Sequence, residues 1–179
     1  VDAVRPDLVG LTTSLNQLGA ALFLARAIKA HAPGVRVVLG GSACAAPMGR
    51  ALLAAYPELD WVVSGWGEAP LLALARGESP ATRWVESHSP VDLDASPVPD
   101  FSAFLRDAGE LAADPRLLLA FEGSRGCWWG ARHPCAFCGL NGVERSVSRK
   151  SSARVLADVR GLFQAHRRDL FATDTCVAI

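Results

Sequence analysis

The segment "VRVVLGG", Val35 to Gly41, constrains the fold more than any other stretch of this chain. Apart from Arg36 it is apolar, rich in β-branched residues, and of strand length. A strand that is apolar on both faces must be covered on both, which is the position of a central strand in a parallel sheet flanked by helices. Its neighbours agree. "DLVGLTT" (Asp7 to Thr13) is a second short apolar run, followed by Leu18, Leu22, Ala25 and Ile28 at helical spacing and closed by "HAPG" at Pro33 and Gly34. Beyond Gly40 and Gly41 a second helix starts near Pro47, with Met48, Ala51, Leu52 and Ala55 on one face. "LDWVVSGWGE" gives a third strand and "APLLALARG" a third helix. Strands alternating with helices at this pace predict an α/β, Rossmann-like, doubly wound sheet over residues 1–78.

From Ser79 to Pro115 the pattern fades. "SPVDLDASPVPDFSAF" carries Pro90, Pro97 and Pro99 among scattered acids and reads as an extended linker, 79–115. Residues 116–179 then read as one βαβ unit. "PRLLLAFEGSRGC" is a strand running into a cysteine loop. "SSARVLADVRGLFQAH" is an amphipathic helix capped by Ser151 or Ser152, with Val155, Val159, Leu162 and Phe163 as its apolar face. "DLFATDTCVAI" is the returning strand.

With 18 basic and 18 acidic side chains, no net charge steers the chain toward nucleic acid or an anionic membrane, and no apolar run is long enough to span a bilayer. Neither partner is expected. The chain opens without Met or a signal-peptide pattern, and both ends read as strands cut in mid-run, so a piece of a longer cytoplasmic protein is expected. Five clustered cysteines in such a chain favour metal binding or catalysis over a disulfide framework.

Three of those cysteines, Cys127, Cys135 and Cys138, lie in "EGSRGCWWGARHPCAFCGLNG". Two residues separate Cys135 from Cys138, seven separate it from Cys127, and Gly126, Gly130 and Gly139 permit tight turns. Three thiolates can hold a 4Fe–4S cluster at three corners and leave one iron open to a substrate. A Cys₃His zinc site using His133 is the rival, cramped by Pro134 between His133 and Cys135. Buried cysteines without a metal are the remaining alternative.

"SRGCWWGARHPCAFCGLNG" resembles the cluster loop of radical S-adenosylmethionine enzymes. It is most similar to the cobalamin-binding subgroup that matures ribosomally made peptides, with a stretched first gap and Trp-Trp-Gly after the first cysteine (Cys127, Trp128, Trp129, Gly130). The resemblance implies that residues 116–179 begin a partial (β/α) barrel. It implies that Cys127, Cys135 and Cys138 ligate a 4Fe–4S cluster. Phe137, before the third cysteine, would pack near the adenine of S-adenosylmethionine, whose one-electron cleavage yields a radical able to take hydrogen from an unactivated carbon. An electron donor such as flavodoxin or ferredoxin follows from the same chemistry.

In the first domain, "LTTSLNQ" and "LGGSA" put Thr12, Thr13, Ser14 and Asn16, then Gly40 and Gly41, at the carboxyl ends of adjacent strands, where open α/β sheets bind ligands near a reversal of strand order. Hydroxyls there bond a ligand, and paired glycines let a bulky group approach the backbone. A local turn or helix cap is the alternative for Ser14 and Asn16. These positions also resemble cobalamin-binding domains, implying an N-terminally truncated domain in which Thr12, Ser14, Gly40 and Gly41 flank the cofactor's nucleotide tail. Gly67 and Glu68 of "SGWGE" would lie on the rim. The Asp-x-His-x-x-Gly motif that ligates cobalt in many such proteins is absent, so no residue here is assigned as the lower ligand, and His31 and His88 read as a helix-end and a linker residue. Arg125 is either a cluster-side charge or a solvated arginine. Asp174 is either a cofactor-facing or a strand-end acid. Cys44 and Cys176 read as core thiols, and Trp61 and Trp66 as sheet packing.

For the parent protein the resemblance implies transfer of a methyl group from methylcobalamin to an unactivated carbon of a precursor peptide. A non-methylating radical reaction is the first alternative, and a non-catalytic zinc- or cluster-stapled fragment the second. A complete barrel needs about 200 residues and only about sixty follow the linker, so this piece alone is expected to be inactive and to expose an unpaired strand edge.

Overall fold

The computed structural model describes residues 2–14, 16–87, 91–133, 135, 136, 138 and 147–174. The chain divides into two units, one of residues 1–90 with 137–144, the other of residues 91–136 with 145–179.

The first unit is built on four parallel strands, β1 (Leu8–Thr12), β2 (Arg36–Gly40), β3 (Trp61–Gly65) and β4 (Trp84–Ser87), in the order β1-β2-β3-β4. Three helices, α1 (Leu18–His31), α2 (Met48–Ala55) and α3 (Glu68–Ala75), connect them. The alternation of β2 divides its side chains between two cores. Val37 and Leu39 join Ala21, Leu22, Ala25 and Ile28 of α1 and Leu52 of α2 on one face. Val38 joins Val63 and Leu74 of α3 on the other. The α/β, Rossmann-like parallel sheet is therefore observed, with α1 and α2 on one face and α3 on the other. Val37, Leu39, Leu59 and Val62 are fully enclosed, each contributing about 2 kcal/mol by burial.

Two features differ from the sequence expectation. The strand order does not reverse among the described strands, so only the shared carboxyl edge, and no switch point, places a site. Inside the stretch 79–115, Trp84–Ser87 pairs with β3 as the edge strand, and α4 (Ser102–Asp107) runs into a 3-10 turn at Gly109–Ala113. The prolines concealed a four-residue strand whose Trp84 packs against the first core.

In the second unit β5 (Leu119–Phe121) pairs in parallel with β8 (Leu170–Ala172), and α6 (Ser152–His166) lies between them in sequence, giving the expected βαβ order. Ser151 caps α6, its Oγ accepting from the Arg154 amide at 3.2 Å. Between β5 and α6 stand β6 (Ser124–Arg125), α5 (Trp128–Arg132) and β7 (Ser148–Arg149), with β6 and β7 paired antiparallel. The buried face of α6 departs from the apolar pattern. Phe163 is exposed, whereas Asp158 is 1% exposed. Asp158 receives Lys150 Nζ at 2.7 Å and Arg154 Nε at 2.6 Å. Arg154 also donates to the carbonyls of Asp94 and Ser96, and the Ser151 amide to Asp94 Oδ1 at 2.7 Å, tying residues 94–96 to the start of α6.

Burial pushes the Asp158 carboxyl up, but hydrogen bonds from Lys150 and Arg154 and their positive charges outweigh it and hold it below its ordinary value. A depressed carboxyl stabilises the fold above its unfolded-state pKa and loses that stabilisation as pH falls through the folded value. The second unit should therefore weaken below about pH 4. Asp158→Ala, which strands the Lys150 ammonium, should cost about 3 kcal/mol at neutral pH and abolish that acid-dependent component, as read by chemical denaturation across pH.

Candidate functional site

Two places hold the residues singled out in the sequence, one in each unit. In the first unit β1, β2 and β3 run parallel, so their carboxyl ends share one edge. Thr12 stands opposite Gly40 in the register. The next residue, Thr13, is buried and joins the two strand ends. Its amide and its hydroxyl both donate to the Gly40 carbonyl, at 2.7 and 3.1 Å, and Oγ1 lies 3.6 Å from Cys44 Sγ. Burial pushes the Cys44 thiol up, opposed in part by the Thr13 contact, so Cys44 is the core thiol expected. Thr12 and Ser14, either side of Thr13, are exposed. The Ser14 amide and hydroxyl donate to Gln17 Oε1 at 3.0 and 3.2 Å, the local turn that the sequence left open as an alternative.

The two glycines of the pair have different tasks. Gly41 has φ of +113°, and a Cβ there would lie 2.2 Å from the Thr13 carbonyl oxygen, so the backbone crossing over Thr13 needs glycine. At Gly40 a Cβ would meet nothing within 4 Å, so the space over the strand end is open. Gly67 and Glu68 stand at the end of β3, and Glu68 opens α3, where a carboxylate is favoured by the helix dipole. Exposed hydroxyls beside an open glycine floor fit the approach of a bulky cofactor to the backbone at this edge.

In the second unit the cysteine loop leaves β6 and returns through β7. Cys127 caps α5, its Sγ accepting from the Gly130 amide at 3.3 Å. The half-exposed Trp128 and Trp129 rings meet edge to face, centroids 5.7 Å apart. His133, fourth member of the zinc alternative, is exposed and packs on Trp129 at 4.8 Å. Arg125 Nε pairs with Glu122 Oε1 at 2.6 Å. Cys135 is half-buried and Cys138 exposed, and Cys44, Cys127, Cys135 and Cys138 all carry thiols rather than disulfides. Cys127 and Cys135 fall in the second unit, whereas Cys138 falls in the segment grouped with the first. Among the described residues no three His, Cys, Asp or Glu side chains are gathered to hold a metal ion. The donor set fits an iron–sulfur cluster in its chemistry, three thiols in one loop. Phe137, His88 and Cys176 lie outside the described residues. His31 is a helix-end residue paired with Asp2 at 2.7 Å, and that hydrogen bond, with the imidazole's charge, holds the Asp2 carboxyl below its usual value.

Sequence reasoning missed two features, the Thr13 clamp and the Lys150–Asp158–Arg154 cluster. Thr13 was visible only as one hydroxyl among three at a strand end. For the cluster, a signal existed in the i, i+4 spacing of Arg154 and Asp158 on α6.

Residues 1–75 match the family model described as the B12 binding domain. That match supports cobalamin binding by the first unit. No curated protein matches the chain. Among solved structures the chain is similar to the N-terminal domain of a hypothetical protein from Thermotoga maritima, at 19% identity, over 48% of this chain and 68% of that one, with a TM-score of 0.37. No helix among the described residues is long and apolar enough to cross a membrane.

Proposed function

We propose that this chain, whose first 75 residues match a B12 binding domain, belongs to a cobalamin-dependent radical S-adenosylmethionine enzyme that methylates an unactivated carbon of a ribosomally made precursor peptide. The observation that carries the reading is the spacing of Cys127, Cys135 and Cys138 in a Trp-Trp-Gly loop that follows a strand directly. When bound, the 4Fe–4S cluster, S-adenosylmethionine and cobalamin supply the radical and the methyl group. The chain's own part is to hold and shield them. Cys127, Cys135 and Cys138 are the cluster ligands, with Phe137 beside the adenine. Thr12 and Ser14 offer hydroxyls to the cobalamin tail, Gly40 leaves it room, and Glu68 stands at the rim. Trp128 and Trp129 follow Cys127 directly and wall one side of the loop. An electron donor of the flavodoxin or ferredoxin kind completes the system.

The paired glycines provide a test that separates binding from folding. Gly40→Leu adds a side chain where a Cβ meets nothing. It should leave the melting temperature within about 2 °C of wild type, since the site is open and unstrained, yet weaken hydroxocobalamin binding by at least about tenfold by occupying the space the ligand needs. Absorbance titration under nitrogen reads the affinity. Unchanged affinity in Gly40→Leu would remove the strand edge from the cobalamin site.

A further inference from the structure

The cysteine loop stands on a stem anchored from both sides. Its outgoing strand is β6 and its returning strand β7, with Ser124 opposite Arg149 and Arg125 opposite Ser148. The Lys150 amide extends the ladder to the Gly123 carbonyl at 2.8 Å. One side of this stem is gripped by Asp174, two residues beyond β8. Its Oδ1 accepts from the Gly123 amide at 2.7 Å and its Oδ2 from Ser124 Oγ at 3.0 Å. The other side is fixed by Lys150, whose Nζ reaches the buried carboxylate of Asp158 at 2.7 Å. A Cβ at position 123 would lie 2.9 Å from Oδ2, so a larger residue there would push the Asp174 carboxylate aside.

We propose that Asp174 is a positioning residue for the cysteine loop, setting the stem from which Cys127 departs three residues later, with the Lys150–Asp158 pair as its counterpart on the returning strand. Asp174 is thereby assigned a part in the stem through the Gly123 amide and the Ser124 hydroxyl. Each of its oxygens accepts one hydrogen bond from the stem, Oδ1 from the Gly123 amide and Oδ2 from the Ser124 hydroxyl. The groups that close the stem are the β6–β7 pairs, the Lys150 amide and the Asp174 carboxylate. A loop whose two ends are held together loses less chain entropy when its thiols converge on a cluster. The proposal rests on the cluster reading for its purpose, but the stem is measurable without it.

The experiment uses the whole chain in both metal-free and reconstituted forms. In the metal-free chain, Asp174→Ala should speed hydrogen exchange at the Gly123 and Lys150 amides by about tenfold or more, with exchange within α6 unchanged. Gly123→Ala, which displaces the carboxylate from the opposite direction, should reproduce the effect. Asp174→Asn should recover most of the protection, because its amide oxygen still accepts from Gly123 and its amide nitrogen can donate to Ser124. After anaerobic reconstitution with iron and sulfide, Asp174→Ala should hold several-fold less iron per folded chain than wild type. Wild-type exchange at Gly123 and Lys150 in Asp174→Ala would overturn the proposal, as would undiminished iron loading beside a loosened stem. If wild type itself takes up no cluster, the functional reading fails while the exchange result still decides whether Asp174 holds the stem.

Discussion

Replacing Cys127, Cys135 and Cys138 together by alanine should take iron bound on anaerobic reconstitution from about four atoms per chain to none, with loss of the charge-transfer absorbance of the cluster. Each single substitution should come close to the same end point, because a cluster held by two thiolates in a solvent-accessible loop is lost to hydrolysis. Secondary structure should persist, since Cys127 and Cys135 are half-buried, Cys138 is exposed, and none of them belongs to a core cluster. His133→Ala separates the metal alternatives. A Cys₃His zinc site loses a ligand with it, whereas an iron–sulfur cluster on three cysteines keeps all of its protein ligands. His133→Ala should load iron like wild type, as the exposed imidazole packed on Trp129 has no place in the ligand set.

Gly41→Val should be among the most damaging single substitutions in the first unit. Its φ of +113° excludes a β-branched residue, and its Cβ would lie 2.2 Å from the Thr13 carbonyl oxygen and 2.8 Å from the Thr13 amide nitrogen. Relief requires moving Thr13, whose amide and hydroxyl both hold the end of β2. Backbone strain and the broken clamp together should cost about 4 to 5 kcal/mol, a large share of the stability of a domain this size. Circular dichroism melting should show a loss on the order of 20 °C. The contrast with Gly40→Leu one residue earlier is the informative part. One glycine is needed by the fold and the other leaves room for a ligand, although in the sequence they read as a single pair.

That contrast marks how far the sequence could be read. The strands and helices of the first unit were legible because burial on both faces writes a continuous apolar run, and α1 and α2 write a helical stripe. Trp84–Ser87 was not, because a four-residue edge strand amid prolines carries too short a period to register. Asp158 was not, because a buried carboxylate looks like a solvated one until Lys150 and Arg154 are seen to reach it. In the site, hydroxyl and glycine types at strand ends pointed to Thr12, Ser14, Gly40 and Gly41, but not to Thr13 as the residue joining the strands. Cysteine spacing is a chemical signal that survives without geometry. That is why the cluster reading stands on Cys127, Cys135 and Cys138, while Asp174 emerged only when its carboxylate was seen on Gly123 and Ser124.

The central claim is a 4Fe–4S cluster on these three thiols with one iron left to S-adenosylmethionine. Electron paramagnetic resonance of the reconstituted, dithionite-reduced chain addresses it directly. The expected result is a reduced-cluster signal whose g-values shift when S-adenosylmethionine is added. Stoichiometric zinc with no cluster signal, or a cluster signal indifferent to S-adenosylmethionine, would contradict it.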